Sequence, residues 1–303
     1  MKYIILIIVF IFSACSDESQ KEINNKNIIQ QETKTIEISS VKEIEQLFVD
    51  LNYTSSAWQH GNYKVPRIYF DTISKDWKHT SNTITVKEKK NIFFRLIAPL
   101  ILLSNEDITR ERKQLLKDTK DSSFSIELAK KYRILKKEEN TLSDAQFLEL
   151  KKRVDIIPLS LALAQGAEES GWGTSRFASE GNALFGQWDF SGKGMSPKHQ
   201  RKELGNYGLA RFNTPLDSVK GYMLNLNTTR AYKKLRTLRQ KLRDNNKTIT
   251  GYKLANTLDK YSERGQAYID GLHTMMRYNK LLDVDKAYLA KGPRIRIVKK
   301  EED

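Results

Sequence analysis

The stretch that can do chemistry is Ala164-Gln165-Gly166-Ala167-Glu168-Glu169-Ser170-Gly171-Trp172-Gly173. It puts two adjacent carboxylates at the end of an Ala/Leu-rich run, directly before a Gly-Trp-Gly turn. A carboxyl half-buried against aliphatic and aromatic groups is harder to ionise, because desolvation disfavours its charged form. Keeping its proton near neutral pH is what a general acid needs to protonate a leaving oxygen. Successive helical residues point about 100° apart, so Glu168 and Glu169 do not both face one cleft. A lone glutamate at a helix end is more often a solvated surface residue, so this spacing alone does not assign a role.

Other chemistries have less to work with. The chain's one cysteine, Cys15, excludes an intramolecular disulfide and a Cys-based zinc cage. His60, His79, His199 and His273 are far apart, and none shows the i,i+4 spacing of a helical metal site. No metal and no cofactor is therefore expected. The net charge of +15 points to an anionic partner. Residues 1–50 hold five lysines against eight acidic groups, so the positive charge lies in the later part.

The positioning elements follow from pattern. After Lys2, the run Tyr3-Ile-Ile-Leu-Ile-Ile-Val-Phe-Ile-Phe12 is too short to span a bilayer and fits the apolar region of a secretory signal. Ser13-Ala14-Cys15 resembles a bacterial lipobox, which implies a signal over 1–14 and lipidation of Cys15. Residues 15–40 are polar and aperiodic and read as a flexible tether. A helical region is expected over 41–150, with apolar helical spacing at Val41, Ile44, Leu47, Phe48 and Leu51. Val65 to Phe70 is a short extended piece. Lys87–Leu103 reads as a long buried helix that Pro99 should kink or split, and 106–120 as a charged continuation. Ser143 with Gln146 marks a capping box, and Pro158 precedes the helix carrying Glu169. Gly181–Phe212 is rich in Gly and aromatics and reads as a loop or small-sheet lobe. Thr214 and Pro215 restart a helix, with two or three more ending near Leu282. The basic tail over 286–303 is expected to be irregular. The expected fold class is α+β, mostly helical, with one inserted non-helical or β lobe.

Glu169-Ser-Gly-Trp-Gly173 followed by Asn182-Ala-Leu-Phe-Gly186 resembles the glucosaminidase domain of glycoside hydrolase family 73. A closer resemblance, to bacterial Bax-type proteins, covers Gly173-Thr-Ser-Arg-Phe177, Gly181–Trp188, Tyr222–Thr228 and Tyr261-Ser-Glu-Arg-Gly265. Val65-Pro-Arg-Ile-Tyr69 and Glu88–Arg95 extend it toward the N-terminus. The resemblance implies a lysozyme-like domain over 151–285 that cleaves β-1,4 bonds after N-acetylglucosamine in peptidoglycan strands. It implies Glu169 as the catalytic acid. A functional tyrosine is implied late in the chain, with Tyr261 the best match and Tyr268, taken as substrate-binding, the second. Family members often carry a second glutamate in the small lobe, where this chain offers Asp189 and Glu203. A second acid across the cleft would activate water and invert configuration; without one, the substrate's own 2-acetamido group would attack and retain it. The second geometry is expected.

Asn182, Phe185, Gln187 and Trp188 are expected to shape the cleft floor, with Trp188 and Trp172 as stacking or packing rings. Arg176, Lys193, Lys198, Arg201 and Lys202 are placed either to meet stem-peptide carboxylates or as a solvated basic surface. The expected location is the cell envelope, with a membrane contact through Cys15. An export signal argues against nucleic acid as the anionic partner. A lytic transglycosylase of the same fold and a non-catalytic wall-binding scaffold are the alternatives. Residues 41–150 would be a support or a regulator that covers the cleft.

Overall fold

Alanine and leucine fill the run from Leu159 to Ser170, so one helix can pass through the centre of the molecule with its neighbours close on every side. In the computed structural model, which describes residues 32–189, 192–196 and 208–300, it does so. Leu161, Ala162, Leu163, Ala164 and Ala167 along it are fully buried.

In chain order the elements are β1 (Thr33–Ile38), α1 (Val41–Asp50), α2 (Ser55–Gln59), β2 (Lys64–Val65), β3 (Ile68–Phe70), α3 (Trp77–Thr80) and α4 (Val86–Leu115). There follow α5 (Ser123–Lys131), α6 (Asp144–Arg153), the central α7 (Leu159–Ser170), α8 (Arg176–Gly181), β4 (Trp188–Asp189) and β5 (Gly208–Leu209). The chain continues through α9 (Pro215–Thr228), α10 (Lys233–Asp244), α11 (Gly251–Ala255), α12 (Gln266–Tyr278), β6 (Tyr288–Leu289) and β7 (Arg294–Lys299). The architecture is mostly helical α+β. Helices α4, α11 and α12 pack on α7.

Helix boundaries follow local chemistry. Capping boxes open α4 (Thr85 with Glu88), α6 (Ser143 with Gln146) and α9 (Thr214 with Asp217). The free N–H groups at the start of α7 are met from far along the chain. Asp285 accepts from the Ser160 backbone N–H at 2.8 Å, from its hydroxyl at 2.7 Å, and from the Gly251 N–H at 2.8 Å.

Three expectations are corrected. Helix α4 runs unbroken for 30 residues with Pro99 inside it. The ring removes one backbone hydrogen bond, but Ile97, Leu100 and Ile101 around it are core residues, and the helix is not split there. The polar tether does not extend to residue 40, because β1 occupies Thr33–Ile38. The basic tail is not irregular: β7 is the middle strand of a sheet ordered β1-β7-β3, parallel to both neighbours. Ile36 pairs with Ile297 and Ile68 with Ile295. Both ends of the described chain are thus built into one sheet.

That sheet and helix α4 join the same hydrophobic core as the helices around α7, a cluster reaching from Phe48 to Ile295. The region over 41–150 is therefore a packed support of the later helices. Four charged groups reinforce the junction. Buried Asp155, between α6 and α7, accepts from Arg243 Nε and Nη2 at 2.5 Å each, with Arg239 at 3.5 Å and Arg112 of α4 at 3.9 Å.

Candidate active site

Glu169 is the penultimate residue of α7, half-buried. Its Oε1 accepts from the Tyr268 hydroxyl of α12 at 2.9 Å. Its Oε2 lies by Gly186: a Cβ built there would be 3.3 Å from that oxygen. Burial pushes the Glu169 carboxyl above its ordinary value, and neighbouring Glu168 adds to this. The Tyr268 hydrogen bond and the Arg264 charge oppose the rise without cancelling it. Glu168 turns to the surface, where the Arg264 guanidinium donates to it at 2.6 Å. The two adjacent glutamates thus have separate surroundings, as their angular offset on a helix requires.

The residues after Glu169 explain why the turn reads Ser-Gly-Trp-Gly. The Ser170 hydroxyl donates to the Gly166 carbonyl at 2.5 Å and accepts from the Gly173 N–H at 2.8 Å, closing the helix on itself. Gly171, Trp172 and Gly173 all have left-handed φ, at 56°, 62° and 79°. Two glycines take this backbone freely; the tryptophan does not. Trp172 is held there by its surroundings. Its ring packs edge-on against Phe93 and Phe94 of α4, and its carbonyl accepts from the Trp77 indole N–H at 2.9 Å. Trp172 is a packing residue, and the N-terminal helices hold the turn that follows the carboxylate. Behind this turn, an apolar cavity of about 790 Å³ lined by Ile38, Phe70, Trp77, Phe93 and Ile297 reaches Gly173. It does not include Glu169.

A second layer supports Tyr268. Gln165, one turn before Glu169 and fully buried, donates through Nε2 to the Tyr268 oxygen at 3.0 Å. The Tyr222 hydroxyl of α9 donates to Gln165 Oε1 at 2.7 Å. Gln165 was not among the expected site residues. Its spacing of four from Glu169 puts both on one helix face, which was the available signal.

The expected residues separate into distinct places. Tyr268 meets Glu169, but it is 1% exposed and so faces the carboxylate rather than a cleft. Tyr261 stacks on Tyr268 with ring centroids 5.4 Å apart, and its hydroxyl donates to the Phe185 carbonyl at 3.3 Å. Phe185 is buried and stacks on Tyr222 at 3.9 Å, so it is core rather than cleft floor. Asn182 is buried as well. It ends α8 with a left-handed φ of 52°, accepts from the Ile73 N–H at 3.0 Å and donates to the Phe212 and Asn213 carbonyls at 3.2 and 3.0 Å. It ties the small lobe to the β3–α3 loop.

Of the small-lobe pair Gln187 and Trp188, only Trp188 is at the surface. Trp188 is 55% exposed on β4, which pairs antiparallel with β5. Gln187 is half-buried, with a buried Oε1 that has no hydrogen-bond partner among the described residues. Asp189 is on β4 beside Trp188. Arg176 pairs with Glu180 at 3.1 Å. Glu203, Lys198, Arg201, Lys202 and Cys15 lie outside the described residues. Among the described residues no cluster of His, Cys, Asp and Glu could hold a metal ion, and no helix is long and apolar enough to cross a membrane.

This arrangement presents one carboxyl with a raised proton affinity, clamped on one oxygen and set beside Gly186 at the other. Residues 144–281, from the first residue of α6 to just past α12, match the family model of the glucosaminidase domain, described as mannosyl-glycoprotein endo-beta-N-acetylglucosaminidase. Protein bax of Escherichia coli (strain K12) is 32% identical over 201 residues, covering 64% of this chain and 71% of that protein. No solved structure matches the chain. The chain belongs to the Bax-type family, whose members carry a mostly helical, lysozyme-like glucosaminidase domain.

Proposed function

We propose that the protein hydrolyses β-1,4 glycosidic bonds of peptidoglycan as an endo-β-N-acetylglucosaminidase, with Glu169 as general acid. The observation that carries this reading is the half-burial of Glu169 with Oε1 taken by Tyr268 and Oε2 facing Gly186. A carboxyl that keeps its proton donates it to the glycosidic oxygen as the C1–O bond breaks, so the leaving sugar departs as a neutral alcohol.

Among the described residues, the charges that act on Glu169 are those of Glu168 and Arg264, and Glu168 is engaged in its ion pair. In this reading the substrate's 2-acetamido oxygen is the nucleophile at C1, because neither Asp189 nor Glu203 of the small lobe stands in a clear motif context. Water would then open the cyclic intermediate, giving net retention. Asp189 and Glu203 are the carboxylates of the small lobe that would take the water-activating role in the inverting alternative.

Product analysis of purified sacculi treated with wild type and Glu169→Gln tests the proposal. New reducing N-acetylglucosamine ends from wild type alone support it. Ends of the 1,6-anhydro type would replace it with lytic transglycosylation. Equal digestion by both proteins overturns it, and no digestion by either would leave a wall-binding scaffold.

We also propose that the enzyme works in the cell envelope, held by a lipid on Cys15, because Ser13-Ala14-Cys15 follows a short apolar run. Labelled palmitate should enter the wild-type chain in cells and not Cys15→Ser. Equal labelling of the two would exclude this anchor.

A further inference from the structure

We propose that Gln165 and Tyr222 are positioning residues that decide which oxygen of Glu169 carries its proton. The inference rests on the reading of Glu169 as the acid. Its substance is the direction of a hydrogen-bond chain running from α9 through α7 to α12 and back.

A phenol has one proton to donate. Tyr222 spends its proton on Gln165 Oε1, 2.7 Å away. That fixes the amide, so Gln165 presents an N–H to the Tyr268 oxygen at 3.0 Å. Tyr268 accepts there and must donate elsewhere. Its partner is Glu169 Oε1 at 2.9 Å. An oxygen that receives this donor is not the one that holds the acid proton. The proton therefore sits on Oε2, on the side of Gly186, where a side chain would crowd that oxygen at 3.3 Å and glycine does not.

Reversing the chain would disable the acid without moving any atom far. A flipped Gln165 amide would offer its carbonyl to Tyr268. Tyr268 would then donate to Gln165 and accept from Glu169, drawing the acid proton to Oε1, away from Gly186. It would also set the amide N–H against Tyr222 and leave the Tyr222 proton unmatched. Gln165 and Tyr222 are fully buried and Tyr268 nearly so, so water does not rescue the reversed arrangement. Glu168, Arg264, Tyr232 and Tyr261 also face Glu169; Tyr261 and Arg264 pack on the Tyr268 ring, and Tyr232 and Tyr261 lie close enough to Tyr222 to act on it electrostatically.

The test is a carbon-13 carboxyl NMR titration of Glu169, assigned by its loss in Glu169→Gln, alongside the pH profile of kcat/KM on soluble glycan fragments. Tyr222→Phe keeps the ring that stacks on Phe185 and removes only the hydroxyl. With the amide free to flip, the Gln165 carbonyl competes with the ionised carboxylate for the one Tyr268 proton, and donation to Glu169 weakens. The Glu169 midpoint and the basic limb should both rise by about 0.5–1 pH unit, with kcat lowered and KM held. Tyr268→Phe should shift the midpoint at least as far. The double variant should match Tyr268→Phe alone, because the relay is already cut. Gln165→Met should also raise the midpoint, which covers the case of a misfolded Tyr222→Phe. An unchanged midpoint in Tyr222→Phe or Gln165→Met, or additive shifts in the double variant, would overturn the proposal. The titration reads the relay whatever the chain cleaves, so its failure and that of the glycosidase reading are separable.

Discussion

The indole N–H of Trp77 donates to the backbone carbonyl of Trp172 across 2.9 Å, joining residues 95 positions apart. Trp172 has a backbone conformation unfavourable for a bulky residue, and it sits three positions after Glu169. The N-terminal region therefore contributes directly to the geometry of the candidate site.

Trp77→Phe keeps most of the packing and removes this hydrogen bond. The expected loss of stability is about 1–2 kcal/mol, the cost of leaving a carbonyl unpaired. Urea unfolding checks the stability term. Activity should fall more than stability alone explains, because the turn after Glu169 relaxes. Wild-type turnover in this variant would show that the turn needs no such tie.

Gly186 has a left-handed φ of 56°, and a Cβ there would approach Glu169 Oε2 to 3.3 Å. Gly186→Ala should cost about 1–2 kcal/mol from backbone strain. Its methyl group should also crowd the oxygen that faces substrate. The expected kinetic signature is a drop in kcat/KM, about tenfold or more, that exceeds any effect on folding. A Gly186→Ala enzyme with normal kcat/KM would mean that substrate approaches Glu169 from elsewhere.

Burial raises the folded-state pKa of Glu169 above 4.5. Activity that needs its proton should therefore fall as pH rises through that raised value. Stability has the same sign. A group with a raised folded pKa contributes stability that is fully present below its unfolded pKa and lost as pH rises through the folded one. Glu169→Gln should therefore gain on wild type in urea titrations at neutral and higher pH, and the gap should narrow toward pH 4. A gap that widens toward acid would contradict a raised pKa at this carboxyl.

Asp155 has the opposite sign. Burial pushes its carboxyl up, but the Arg243, Arg239 and Arg112 guanidiniums outweigh this and hold it below its ordinary value. Its contribution should be present at neutral pH and lost as pH falls through the folded value, below 3.8. Asp155→Asn leaves Arg239 buried without a counter-charge, so a loss of about 3–5 kcal/mol is expected from chemical denaturation at neutral pH. A loss under about 1 kcal/mol would show that the cluster is solvated.

Local chemistry in the sequence determined much of this protein. Ser143 with Gln146, Thr214 with Pro215, and Gly171 after the alanine-rich run mark helix ends because caps act within one turn. The same run brings two carboxylates to the rim of a core, and the family resemblance of Glu169–Gly173 singled out Glu169 between them. Tertiary structure decided what depends on distant partners. Residues 33–38 and 294–299 look polar or basic in isolation, and become strands because they pair with each other and with Ile68–Phe70. Tyr261 and Tyr268 are near-equivalent in the sequence; only the placement of α12 against α7 puts the second on Glu169 and leaves the first on the Phe185 carbonyl. Asn182 and Phe185 stand in a motif that suggests a cleft, yet the fold buries both. Caps and periodicity report interactions between residues a few positions apart, whereas strand partners and hydrogen bonds spanning about a hundred residues form only once the chain has closed its loops.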